Sequence, residues 1–328
     1  MTRDEPIIFE SIAPSEIEMI EKKMKRRKFI KAAGSITLGT AMFSRDGISR
    51  NRPPSLKAAD VNSYLRSLCP VSEPSCDRVI VGDPQMVVTK MGTCWQPYWK
   101  TLKSAAKQGI NTLVVHEPTF YTHWDLDEKA DRSWEKSEAS LKAYNDLIAR
   151  KKAWIEQQGL VIIRCHDVMD KVTEFGMPFA LGQALGFTKK DIVRSRPYYN
   201  VYKIGPTPAI KAAQLIAAKL KSAGQPGVAF YGDRDSLVES VGVGTGCICD
   251  PIQFMDMKPD LFIAIDDKVR TWIQTTYAED SGHPLVVINH GTSEEFGMRL
   301  LNARLRSFFP DYDILHLDQG CGYSWITA

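Results

Sequence analysis

Leu113-Val114-Val115-His116-Glu117-Pro118 and Leu285-Val286-Val287-Ile288-Asn289-His290 are built alike: a short run of aliphatic, mostly β-branched residues followed at once, or after one asparagine, by a histidine. A continuous apolar run of four, bounded by polar residues and proline, reads as a strand buried on both faces. Similar runs predict strands at 79–81, 160–165, 199–204, 228–231, 240–244, 261–265 and 314–317. Helical periods fall between them. One spans 133–158. Another runs from 208 to 220, with Thr207 as cap and Pro208 at the first position. Asp250-Pro251 opens a third in the same way, and the last covers 294–308, with Met298, Leu301, Leu305 and Phe308 forming an apolar stripe. The alternation predicts an α/β fold with helix-covered sheets. The echo of the two histidine-ended strands suggests two facing lobes, about 53–190 and 191–328.

Length and composition agree with this. The chain has 328 residues, 44% hydrophobic and 25% charged, with 22 Gly and 18 Pro, which excludes collagen-like, fibrous and disordered classes. No run approaches the roughly 18 apolar residues needed to cross a bilayer, so no integral membrane span is expected. The formal charge is +3. Residues 1–52 hold 11 basic and 7 acidic side chains, so the remainder holds 31 and 32. The body lacks the basic footprint that nucleic-acid binding requires.

The basic excess sits in KKMKRRKFIK (22–31), followed by the uncharged AAGSITLGTAMFS (32–44). A basic segment ahead of a short apolar one is built as an export signal and is too short for an anchor helix. Arg26-Arg27, followed by Phe29-Ile30-Lys31, resembles a twin-arginine signal, although Lys25 stands where Ser or Thr is usual and no clean Ala-x-Ala site follows. Residues 1–52 are therefore expected to be a leader and linker read by the twin-arginine translocon, and 53–328 the functional domain. The expected location is periplasmic or otherwise extracytoplasmic, with the signal cleaved or kept as a tether. Among seven cysteines, Cys247-Ile248-Cys249 has no second such pair to complete a four-ligand zinc site, and buried small side chains are the better reading.

In open α/β sheets, function gathers beyond the carboxyl ends of strands. Four of those ends here carry ligating or titratable groups: His116-Glu117; His166-Asp167 with Asp170; Asp266-Asp267; and Asn289-His290 with Glu294-Glu295. Three of the six histidines occupy such positions. Imidazole with carboxylate suits zinc, iron, manganese or cobalt. Each residue also has a plainer role available. Asp170 fits a cap for the helix near Met177 or a partner for Lys171, and Thr292-x-x-Glu295 fits a capping box that leaves Glu294 freer. His123, His283 and His316 read as loop or strand residues.

Six segments in order carry a family likeness: Gly82-Asp83-Pro84 with Val87-Val88, VVHEPTFY (114–121), CHDVMD (165–170) followed by ALGF (184–187), VGVGTGC (241–247), DLFIAIDD (260–267) and NHGTSEEFG (289–297). Together they resemble the Nif-three-like dinuclear-metal proteins, also called type 2 GTP cyclohydrolase I. The resemblance implies two divalent ions in a cleft at strand carboxyl ends, with His116, Asp170, His290 and Glu294 as ligands, and a ring-like hexamer. Glu117 stands where the family has a second histidine; a carboxylate there would tilt preference toward manganese or iron and away from zinc, and the alternative is a site that has lost one metal. His166 is expected to orient Asp170 from behind or, like Glu295, to move protons. The implied chemistry is metal-dependent hydrolysis of a carbonyl or phosphoryl bond. A non-catalytic metal-binding scaffold or carrier is the alternative. Opening the GTP ring fits poorly with export, and no Walker-type loop is present.

Overall fold

The computed structural model describes residues 55–126 and 137–326. The leader and linker expected at 1–52 lie outside them, as do 133–136 of the first expected helix. In chain order the first elements are α1 (Ala58–Arg66), β1 (Val79–Val81), β2 (Met91–Cys94), α2 (Trp99–Lys107), β3 (Thr112–Val115), α3 (Glu138–Gln157), β4 (Val161–Arg164), α4 (Asp167–Lys171) and α5 (Met177–Leu185). There follow β5 (Ile192–Arg196), β6 (Tyr199–Pro208), α6 (Ala209–Leu220), β7 (Ala229–Tyr231), β8 (Leu237–Gly244), β9 (Leu261–Ile265), α7 (Thr276–Ser281), β10 (Leu285–Ile288), α8 (His290–Phe308) and β11 (Ile314–His316).

Two sheets result, in orders β1-β4-β3-β2-β11 and β5-β6-β8-β9-β10-β7. In the first, β4, β3, β2 and β11 run parallel and β1 runs antiparallel at the edge. In the second, β8, β9 and β10 are parallel and flanked by antiparallel strands. The fold is mixed α/β with helix-covered sheets. Every residue of β2, β3, β4 and β9 is buried, as expected of strands covered on both faces. The two histidine-ended strands are β3 and β10, one inside each sheet. The chain then returns: α8 packs on β2, β11 and α5, and β11 joins the first sheet, so the expected second lobe (191–328) gives up its end to the first.

Two strands escaped the sequence reading. Met91-Gly-Thr-Cys94 lacks a β-branched run, and Gly92 packs closely under Ile110 and Leu113, where a Cβ would lie 2.9 Å from Ile110 Cδ1. Ile192–Arg196 is a half-exposed edge strand whose polar residues hide its period. The apolar stripe on α8 holds for Met298, Leu301 and Leu305, all fully buried, while Phe308 is exposed and stacks on Tyr64 at 3.8 Å. The expected capping box is corrected. The cap of α8 is Asn289, whose side chain accepts from the Thr292 amide, so Thr292 lies inside the helix. The stretch opened by Asp250 is a 3-10 turn, Pro251–Met257, capped by Asp250 accepting from Ile252 N.

Candidate metal centre

The carboxyl ends of β3, β4 and β10 converge. His116 and Glu117 follow β3 directly. Just beyond β4, Asp170 lies on α4, a helix whose amino end is fastened by buried Asp77 accepting from the Asp167 and Val168 amides at 3.1 and 2.7 Å. His290 is the first residue of α8 and Glu294 sits one turn on, so helical i,i+4 spacing puts both on one face.

The five side chains meet around Glu294. Its Oε2 lies 3.2 Å from His116 Nε2 and 3.1 Å from His290 Nε2. His116 Nε2 is 3.7 Å from Asp170 Oδ1 and 3.9 Å from Glu117 Oε1, and His290 Nε2 is 3.4 Å from Glu117 Oε1. Two clusters with ligand spacing share Glu294: His116, Asp170, Glu294 on one side and Glu117, His290, Glu294 on the other. His116 and Glu294 are 0% and 2% exposed.

Both imidazoles are oriented from behind. His116 Nδ1 lies 3.2 Å from the Cys165 carbonyl, and His290 Nδ1 lies 2.6 Å from Asp267 Oδ2. A proton on each Nδ1 leaves each Nε2 lone pair aimed inward. Despite the short approach to Glu294, both buried Nε2 atoms lack an aligned hydrogen bond. A buried polar atom left this way calls for an explanation, and an ion is one. Three carboxylates packed together also demand positive charge. Burial alone would depress His116, but Glu294, Asp170 and Glu117 overcome that and raise it to about 9. Burial opposes His290 as well, and Glu294, Asp267 and Glu117 outweigh it in the upward direction. Glu294 is held well below the usual carboxylate range, against its burial, by the two imidazoles, while burial raises Asp170. The donor set fits divalent cations.

His166 stacks on His116 with centroids 4.4 Å apart, and its Nδ1 lies 3.1 Å from Asp167 and 3.5 Å from Asp170. Asp266 accepts from the His290 amide and the Asn289 side chain, fixing the start of α8. Asp170 does not cap α5, whose N-cap is Gly176. Glu295 points elsewhere. It is fully buried and accepts from His316 Nε2 at 2.7 Å, Arg299 Nε at 3.2 Å and the Gln319 and Gly320 amides. His316, read as an ordinary strand residue, also lies 2.8 Å from Thr93 Oγ1. Exposed His123 fits its loop reading. In the 247–249 pair, Cys249 is buried and Cys247 is exposed.

Sequence reasoning missed several supports. Trp95 donates from Nε1 to Glu294 Oε2 at 2.7 Å. It follows unrecognised β2, whose detection would have placed it at a strand carboxyl end. Gly246 has φ +62°, and a Cβ there would sit 2.6 Å from Glu294 Oε1. Gly246→Ala is expected to retain the fold but weaken divalent-metal affinity by about 10- to 100-fold, as displacing an orienting group does; competition against a metal-indicator dye reads this.

Behind the site, buried Arg164 donates Nε to the His116 carbonyl at 2.9 Å and pairs with buried Asp125 at 3.2 Å. Asp125 also accepts from the Thr119 and Phe120 amides, and Lys151 donates to the Thr119 carbonyl at 2.8 Å. Burial lowers Lys151 to about 8, with Asp125 opposing. A depressed lysine is destabilising while protonated, so the unfolded chain holds the extra proton between pH 8 and 10.5 and stability rises across that window. The stability of the wild type relative to Lys151→Met should therefore rise by up to about 3 kcal/mol from pH 8 to 10.5 in urea melts.

The sequence profile of Duf34/NIF3 (NGG1p interacting factor 3) matches residues 56–318. No curated protein matches the chain. Among solved structures, Staphylococcus aureus hypothetical protein SA1388 is 18% identical, with a TM-score of 0.65 over 83% of this chain and 100% of that one. A Bacillus cereus protein related to NIF3 is 12% identical, with a TM-score of 0.64 over 84% and 99%. Reduced HcgD from Methanocaldococcus jannaschii is 17% identical, with a TM-score of 0.61 over 80% and 98%. At these identities the likeness is one of fold.

Proposed function

Because the chain belongs to the Duf34/NIF3 family, we propose that it is a dinuclear metal protein that hydrolyses a carbonyl or phosphoryl bond. The observation that carries this reading is the approach of two buried imidazole nitrogens, neither aligned in a hydrogen bond, to one carboxylate oxygen. His116, Asp170 and Glu294 would hold one ion, and Glu117, His290 and Glu294 the other, with Glu294 shared. Divalent ions bound there would supply Lewis acidity and a water of lowered pKa. The oxygen-rich set, with Glu117 as a carboxylate, favours manganese or iron over zinc.

The protein's own groups do the rest. Cys165 and Asp267 hold the two imidazoles, and Trp95 holds Glu294. His166, partly exposed and steadied by Asp167 and Asp170, would take or give a proton at the edge of the cluster. Glu295 is fully engaged with His316, Arg299 and two amides, so its role is to fix α8 rather than to react.

Stripped protein reconstituted with Mn, Fe, Co or Zn is expected to turn over a member of an ester, amide and phosphoester panel, with GTP ring opening absent. Silence across the panel with two ions bound would favour the scaffold reading. The proposal places the active chain outside the cytoplasm as a ring-like hexamer, with 1–52 as a twin-arginine leader. Fusing 1–60 to a reporter active only after export tests the first point, with export abolished by Arg26→Lys and Arg27→Lys together. Sedimentation equilibrium tests the second, and a monomeric mass would reject it.

A further inference from the structure

A cleft of about 930 Å³ opens beside Asp170, between the end of α4, the start of α5 and the β5–β6 hairpin. That volume suits a small-molecule ligand. Its charged lining is Asp170, Lys171, Lys189 and Arg196. Asp170 belongs to the metal cluster. Arg196 is engaged by Asp256 at 2.8 Å. Lys171, next in sequence to Asp170, and Lys189 have no carboxylate partner among the described residues, so the cleft lining carries two ammonium groups with no ion-pair partner.

The remaining lining is aromatic and apolar. Phe179 is buried, and Lys189 Nζ lies 5.3 Å from its ring centroid, which keeps that ammonium against the cleft wall. Tyr198, at the hairpin tip, has φ +72°, a left-handed conformation that costs a non-glycine residue energy. The two-residue loop Pro197-Tyr198 between β5 and β6 imposes this conformation, as tight hairpin turns do. Here it holds a half-buried phenol in the lining.

We infer that this cleft is the substrate pocket of the metal centre and takes a small organic anion bearing a flat ring, with its anionic group on Lys171 and Lys189 and its ring against Phe179 and Tyr198. The inference rests on the hydrolase reading for the word substrate. The binding itself follows from charge complementarity between the two lining lysines and an anion, and from aromatic walls that match a planar ring.

The test measures binding of phenylphosphonate, benzoate and neutral benzamide to the manganese-supplemented full chain by titration calorimetry, for wild type and Lys171→Gln/Lys189→Gln. The anions are expected to bind at least about tenfold more tightly than benzamide, a difference of about 1.4 kcal/mol. The double variant should lose that preference while keeping its unfolding temperature, because neither lysine is buried. Equal binding of benzamide, an unaltered affinity in the double variant, or no anion binding by the wild type would overturn the inference. Metal content of the same samples separates the two readings: a wild type without ions rejects the hydrolase, whereas the lysine dependence of phenylphosphonate binding bears on the cleft alone.

Discussion

Glu294→Gln is expected to lower divalent-metal affinity by more than about a hundredfold and to destabilise the metal-free protein as well. The carboxylate sits 3.2 and 3.1 Å from two imidazoles whose uptake of protons it promotes. Removing one partner of a buried charged set costs about 3–5 kcal/mol, because the others stay buried without compensation. Glutamine keeps the shape and can still accept from Trp95, so the loss reports charge and ligation rather than a cavity. Glu295→Gln, one residue on, makes the control. It should disturb the hydrogen bonds to His316 and Arg299, leaving metal affinity within a few-fold of wild type. Metal content and urea melts of both variants read the contrast, and equal metal loss in the two would mean that the shared-carboxylate account is wrong.

Arg164→Met should destabilise the domain by about 3–5 kcal/mol. The guanidinium is 1% exposed, ties the His116 carbonyl to Asp125, and so anchors the loop carrying Glu117. The substitution strands the Asp125 carboxylate, which burial already pushes upward. Adding Asp125→Leu removes that stranded charge, so the double variant should recover part of the loss. Denaturant midpoints for the two singles and the double settle this, and strictly additive losses would contradict the pairing.

These two sites mark what could and could not be read from sequence. The strands carrying His116 and His290 are legible because a sheet covered on both faces writes itself as an unbroken apolar run. The polar residues just past those runs then follow from topology, and the five side chains Glu117, Asp170, Glu294, His116 and His290 do meet. Support from across the fold leaves no such mark. Arg164 ends a buried strand yet faces a loop some forty residues upstream, and Trp95 reaches α8 from a strand whose Gly92 and Thr93 blur its period. Neighbouring Glu294 and Glu295 look interchangeable as letters. The helix turns them to different faces, one toward two imidazoles and the other toward His316 and the chain's return strand. The capping-box reading of Thr292 and Glu295 failed for a related reason: Asn289 starts the helix three residues earlier and already supplies the cap.

The account stands on cations being held among these side chains, and anomalous diffraction from crystals grown with manganese locates them directly. Two peaks are predicted per chain: one among His116, Asp170 and Glu294, the other among Glu117, His290 and Glu294. Anomalous density absent from both places, or found only at Glu295, His316 and Asp318, would contradict it.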